Sequence, residues 1–180
     1  MSNTCSWANQ ISNRNFLSGI GFKFNLGKYP KVDFFCNSAR IPEITLATAT
    51  QPSYLKDIDV PETKLSFGDL SIQFLVDENM ENYKIVHDWI IGLGFPETAQ
   101  QFKDLTTDQD GVTRNMGGQY ADGTLRILNS NFNEVAKVKF LDMFPVSLSS
   151  LDFDATSTDV NYFTAQATFK YTVYQLTSSI

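Results

Sequence analysis

The sequence predicts a mainly β fold, an antiparallel β-sandwich or small barrel with one flanking α-helix, and three observations carry that prediction. Apolar and polar residues alternate over several short segments, as strands with one face on a core require. One stretch, after residue 77, changes to the three-and-four spacing of a helix. Aromatic residues make up 13% of the chain and 15 of them are Phe, which suits pleated, half-buried strands. With 180 residues, 42% hydrophobic and 19% charged, the chain is long enough to bury one substantial core and too apolar for disorder.

Residues 1–15 are polar, rich in Asn and Ser, and read as an amino-terminal arm ahead of a β domain over 16–180. Its one aromatic, Trp7, is either a docking anchor for a neighbouring surface or a cover over the chain's own core. From Phe22 the pattern F-K-F-N-L alternates. After the turn Lys28-Tyr29-Pro30-Lys31, V-D-F-F-C-N alternates again, and the two together predict a hairpin that ends at Arg40-Ile41-Pro42. Residues 43–64 carry β-branched Ile44, Thr45, Thr48, Ile58 and Val60 on either side of Gln51-Pro52-Ser53. This is a long extended excursion, a second hairpin being one form it can take, with too few large apolar residues to bury itself. Ile44, Tyr54, Leu55, Ile58 and Val60, with Trp7, are therefore the candidate residues for contact with a partner surface.

Leu70, Ile72, Phe74 and Val76 alternate with Ser71, Gln73 and Leu75, the mark of a strand. The period then changes. Asp77 or Asn79 is placed to cap a helix, and Tyr83, Val86, Ile90 and Leu93 recur on one face until Gly92 and Gly94 stop it. Pro96 to Leu105 adds a short amphipathic turn through Phe102 and Leu105. Residues 106–118 are polar and Gly-bearing and read as a mobile loop. Leu125–Leu128 and Val135–Phe140 flank N-S-N-F-N, a hairpin tip. Finally Phe163, Ala165, Ala167, Phe169, Tyr171 and Val173 face one way over a single alternating strand from 163 to 173.

Composition and motifs point away from several kinds of chemistry. A net charge of −6, with 14 scattered basic residues, is the wrong sign for gripping phosphates. The longest apolar runs, such as Ile90 to Phe95, fall far short of the roughly 20 residues of a membrane helix. The amino end lacks a basic region followed by an apolar core, so the expectation is a protein made and used without the secretory route. Cys5 and Cys36 cannot make a disulfide framework or a zinc site and are expected as free thiols, Cys36 packed as a small apolar residue. His87 is the single histidine, so no His-dependent triad or multi-histidine metal site fits within one chain. The acids Asp77, Glu78 and Glu81 read as helix-capping charges rather than a carboxylate site. D-Q-D-G at 108–111 lacks the Glu that a calcium loop needs at its twelfth position, and G-I-G-F at 19–22 leads into a strand. No catalytic, cofactor or metal residue is nominated, and the chain reads as a non-enzyme that offers surfaces.

Two groups of residues resemble a known family in order and spacing. Phe34-Phe35-Cys36 leads to Ile41-Pro42, then come the long excursion, Phe67 with its alternating strand, the pair Asp77-Glu78, and Asp88-Trp89 on the helix. In the last third, Phe144-Pro145 precedes Leu151-Asp152-Phe153-Asp154 and the final strand. This pattern, covering about residues 16 to 176, resembles the tail tube proteins of T-even-like contractile-tailed phages. The polar arm, the 106–118 loop and replacements of Trp by Leu or Phe set the chain apart. Its anchors are Cys36, Pro42, Phe67, Asp77, Glu78, Asp88, Trp89, Asp152, Phe153 and Asp154.

The resemblance implies a virion structural protein, assembled in the host cytoplasm, with six copies in a ring around a channel and neighbouring strands joined into one barrel. Stacked rings would form the inner tube of a contractile tail, with the sheath and baseplate or tube-end proteins as partners. DNA would pass through an acidic lumen without specific binding. It implies no cofactor and no membrane anchor. The same fold serves baseplate tube initiators and tube-end proteins, which is the alternative within the class. Outside it stands a ligand-binding β-sandwich, whose sign is a deep apolar pocket in the monomer.

Overall fold

The computed structural model describes residues 16–29, 36–94, 97–106, 118–154, 156 and 162–178. Among them the strands β1 (Phe22–Leu26), β2 (Cys36–Ala39), β3 (Ile44–Gln51), β4 (Ile58–Phe67) and β5 (Leu70–Leu75) precede the helices α1 (Glu81–Gly94) and α2 (Ala99–Thr106). The strands β6 (Ala121–Leu128), β7 (Glu134–Leu148), β8 (Thr164–Lys170) and β9 (Val173–Ser178) follow. Every pairing is antiparallel.

At 15 residues, β7 is long enough to serve two sheets. Its first part lies between β6 and β9, and Phe144 to Leu148 pair with β8. One sheet therefore runs β1-β6-β7-β9, and the other runs from the end of β7 through β8 and β5 to β2. The chain turns the corner at Asp142, which sits at φ 52, a left-handed conformation that Asp tolerates better than most residues. Opposite this bend the chain breaks between β8 and β9, where the Thr172 N–H donates to the Leu141 carbonyl at 3.0 Å. The single final strand expected from the sequence is thus two strands. Its alternation persists through the first of them, with Ala165, Ala167 and Phe169 buried, because the break changes the neighbour and not the inward face.

The expected hairpin of β1 with β2 is not formed by the described residues. β1 pairs with β6, Cys36–Ala39 pairs with β5, and residues 30–35 lie outside the described residues. β1, β9 and β2 are ends of the strand order and do not pair with one another, so among the described residues the sheets do not close into a barrel.

Both sheets and α1 share one core. Phe24 and Leu26 from β1, Leu125 from β6, Val138 and Phe140 from β7, Ile72 and Phe74 from β5 and Phe169 from β8 are all buried. Each such Leu, Val or Phe contributes roughly 1.5–3 kcal/mol through burial. α1 lays Val86 and Trp89 on this core, with Tyr83, Ile90 and Leu93 alongside. The Trp89 ring meets Phe169 at 6.4 Å and Tyr29 at 6.3 Å between centroids, and its Nε1–H donates to the Gln119 carbonyl at 3.1 Å. Lys28 stands over the same indole at 5.5 Å and donates to the Gly118 carbonyl at 2.6 Å, tying the β1 end to the approach to β6.

Two expectations about the helical region need correction. There are two helices rather than one, because Ala99–Thr106 is a full α2. Gly92 does not stop α1 but lies buried within it, where a Cβ would come within 3.1 Å of Leu105. The missing side chain lets α2 pack against α1. The N-S-N-F-N turn is built by the Asn129 side chain, whose Oδ1 accepts from the Asn131 and Asn133 N–H groups at 2.9 and 3.0 Å.

Candidate assembly interface

β3 and β4 form a two-stranded hairpin that pairs with no other described strand. Every residue from 48 to 66 is exposed. The sequence accounts for this: Thr, Ala and charged residues dominate both strands, so neither face is apolar enough to lie on the core. Yet the hairpin carries apolar side chains in water. Leu46 opposes Leu65 and Ala49 opposes Val60 across the ladder, and Ile44 and Ile58 are each about half exposed. At the tip, Tyr54 and Leu55 are 101% and 90% exposed, making essentially no contact with their own subunit.

The root of the hairpin is built differently. The Gly68 N–H donates to the Glu43 carbonyl at 3.0 Å, closing the neck. The Phe67 ring packs against Tyr171 and Tyr174 at 6.2 and 5.6 Å, and Phe140 supports both tyrosines from below at 5.1 and 5.7 Å. The Tyr171 hydroxyl donates to the Gly68 carbonyl at 2.8 Å, and the Tyr174 hydroxyl to the carbonyl of buried Pro42 at 3.2 Å. Burial, then the neighbouring Tyr174 and Asp69, push the Tyr171 phenol up to about 12. A free arm therefore stands on an aromatic root at the β8–β9 corner.

The sequence-nominated residues divide accordingly. Ile44, Tyr54, Leu55, Ile58 and Val60 meet on this one hairpin, while Trp7 lies outside the described residues, as do Cys5 and most of the 106–118 loop. Leu46 and Leu65 belong with them and were missed. Their signal was the spacing of two from Ile44 and from Phe67. Pro42 and Phe67 sit at the root. Cys36 lies in β2 opposite Phe74, and burial pushes its thiol up to about 12. Trp89 is in the core, and Asp88 is on the surface beside His87, 3.1 Å away.

Asp77 and Glu78 do not cap α1, which begins at Glu81 after a left-handed Met80 at φ 56. The Asp77 N–H instead donates to Asn82 Oδ1 at 3.3 Å, and Asn82 Nδ2 donates to the Leu75 carbonyl at 2.7 Å. Asn82 is fully buried, so this amide, which periodicity did not single out, joins the end of β5 to the start of α1.

Asp152, Phe153 and Asp154 are exposed. Asp154 accepts from the Thr156 hydroxyl at 2.6 Å and its N–H at 2.8 Å, and those bonds hold its carboxyl below the usual range. Phe153 leans on Phe163 at 4.7 Å, forming part of a groove of about 670 Å³ beside the β5–α1 turn. A second depression, of about 360 Å³, lies between Tyr29, α1 and α2. Among the described residues no three His, Cys, Asp or Glu side chains gather as a metal site, and no helix is long and apolar enough to cross a membrane.

Comparison with known proteins agrees with this architecture. The model of a family described as phage tail tube protein matches residues 9–177. No curated protein sequence matches the chain. Among solved structures, the chain is similar to the tube-terminating cap of the anti-feeding prophage, with a TM-score of 0.65 and 16% identity over 99% of this chain and 100% of that one. It is similar to a chain of the six-fold symmetrised anti-feeding prophage baseplate, with a TM-score of 0.62 and 14% identity over 93% and 98%. It is also similar to a chain of the sheath–tube complex of the extracellular contractile injection system PVC in its extended state, with a TM-score of 0.58 and 16% identity over 92% and 93%. At these identities the likeness is one of fold.

Proposed function

The chain belongs to the phage tail tube protein family, and from that premise we propose that six copies form a ring around an open channel and that stacked rings make the inner tube of a contractile tail. The observation that carries this reading is the β3–β4 hairpin, hydrogen-bonded at its root and solvated along both strands, with Tyr54 and Leu55 almost wholly in water. A monomer gains nothing from such an arm, whereas a neighbouring subunit supplies the surface that its apolar residues lack. Ile44, Ile58 and Val60 join the same contact. The outer edges of β1 and β2, unpaired among the described residues, are where neighbouring subunits add strands and remove an aggregation hazard.

The work is passive. A chain of net charge −6 repels DNA from the channel wall and lets it slide during ejection. Its partners are further copies of itself, the tail sheath, and baseplate or tube-end proteins; its place is the virion, after assembly in the host cytoplasm. A second reading is a tube-fold baseplate or tube-end component present in one or a few rings. It is supported by the near-complete two-way coverage with the prophage cap. Quantitative mass spectrometry of purified particles tests both, with many copies expected for the tube and one or a few rings for the alternative. Absence from particles, together with a protein that stays monomeric on its own, removes the reading altogether.

A further inference from the structure

We propose that the groove beside the β5–α1 turn is the socket for the β3–β4 hairpin tip of a second copy of this chain, an inference that rests on the tube reading above. The groove, of about 670 Å³, is walled by Leu75, Met80, Leu151, Phe153, Tyr162 and Phe163. One wall is preformed by the Phe153–Phe163 pair, yet Phe153 remains 72% and Tyr162 82% exposed. A concave apolar surface edged by exposed aromatic rings is the kind of site that an inserted side chain desolvates with most gain.

The same chain carries a matching plug. Tyr54 and Leu55 project from the hairpin tip without burial on their own subunit, and Lys56 follows them directly. Asp77 and Glu78 line the groove. Asp57 follows Lys56, so the tip is neutral overall; the Lys56 ammonium is the tip group of opposite sign to the two carboxylates at the socket, and its pairing with them sets the register. β4 alone has ten residues and spans roughly 34 Å at about 3.4 Å per residue, which carries the tip clear of its own root. Plug and socket are different patches of one surface. The contact is therefore heterologous, passing head to tail from copy to copy, and either closes within a ring or propagates along a stack.

Disulfide trapping on the full-length chain tests this. Two single variants, Leu55→Cys and Met80→Cys, are mixed, assembled and oxidised, and the linked peptides are identified by mass spectrometry. The expected result is a reducible covalent pair joining position 55 of one copy to position 80 of another, absent when either variant is oxidised alone. In parallel, Lys56→Glu raises the protein concentration needed for assembly by about tenfold, and adding Glu78→Lys restores it. Assembly without the 55–80 link overturns the inference while leaving the tube reading standing. A Met80→Cys link to the native Cys5 also overturns it, because the groove then holds the amino-terminal arm. Wild-type protein that never assembles overturns both.

Discussion

Burial lifts the Cys36 thiol from its ordinary 9.0 to about 12. The folded chain thus holds this proton where the unfolded chain has released it. The associated stability is complete below about pH 9 and declines as pH rises toward 12. Urea midpoints measured at intervals from about pH 8 to 11 are expected to fall less steeply for Cys36→Ala than for the parent; equal slopes would argue against the buried thiol. Gly123 shows a different residue-scale constraint. A Cβ there would overlap Met143 Sδ and come within 3.2 Å of the Phe24 ring. Gly123→Ala should therefore cost about 1–3 kcal/mol by overpacking, read as a lower urea midpoint. Individual residues were unevenly legible. Trp89 was visible because a large apolar residue lay on a helix. Asn82 was not, because a buried amide is recognisable only when the strand end and turn that satisfy it are in place.

At the scale of elements, the β3–β4 hairpin stands apart from the core. Its neck is closed by the Gly68–Glu43 hydrogen bond, and everything beyond is solvated. Replacing residues 45–65 with a short Gly-Ser linker should leave thermal unfolding close to that of the parent, since no buried core residue is removed. Sedimentation of the same variant should show monomer at concentrations where the parent assembles. A variant that fails to fold would mean that the arm contributes to its own subunit's core. The extended, unburied character of this segment was legible from composition: β-branched residues without bulk predict extended chain that has nothing to bury. The helical region was harder to read. Gly92 carries a stop signal in sequence, but its neighbour Leu105 turns the same residue into a packing contact.

For the whole molecule, ring formation as proposed would link stability to protein concentration. If copies bind one another only when folded, mass action raises the unfolding temperature as protein concentration increases. The expected outcome is a melting temperature that climbs with concentration for the parent and stays flat for the hairpin-replaced variant. A flat response in the parent, with monomer by sedimentation, would count against ring formation. The long β7 is the feature that makes the subunit a single body, since it holds β6 and β9 in one sheet and β8 in the other.

The amino-acid sequence by itself determined that the protein is mainly β, where most of the strands lie, which side chains of the core strands point inward, and which family it resembles. These properties are local: the pleat gives a period of two, and burial selects one face. Tertiary structure alone decided that β1 lies against β6, that the final strand breaks at a corner, and that the β3–β4 arm stands free on an aromatic root. The physical reason is that backbone N–H and C=O groups are the same in every strand. Alternation marks the face a strand must bury but not the strand beside it, and that neighbour is chosen only when the whole core packs.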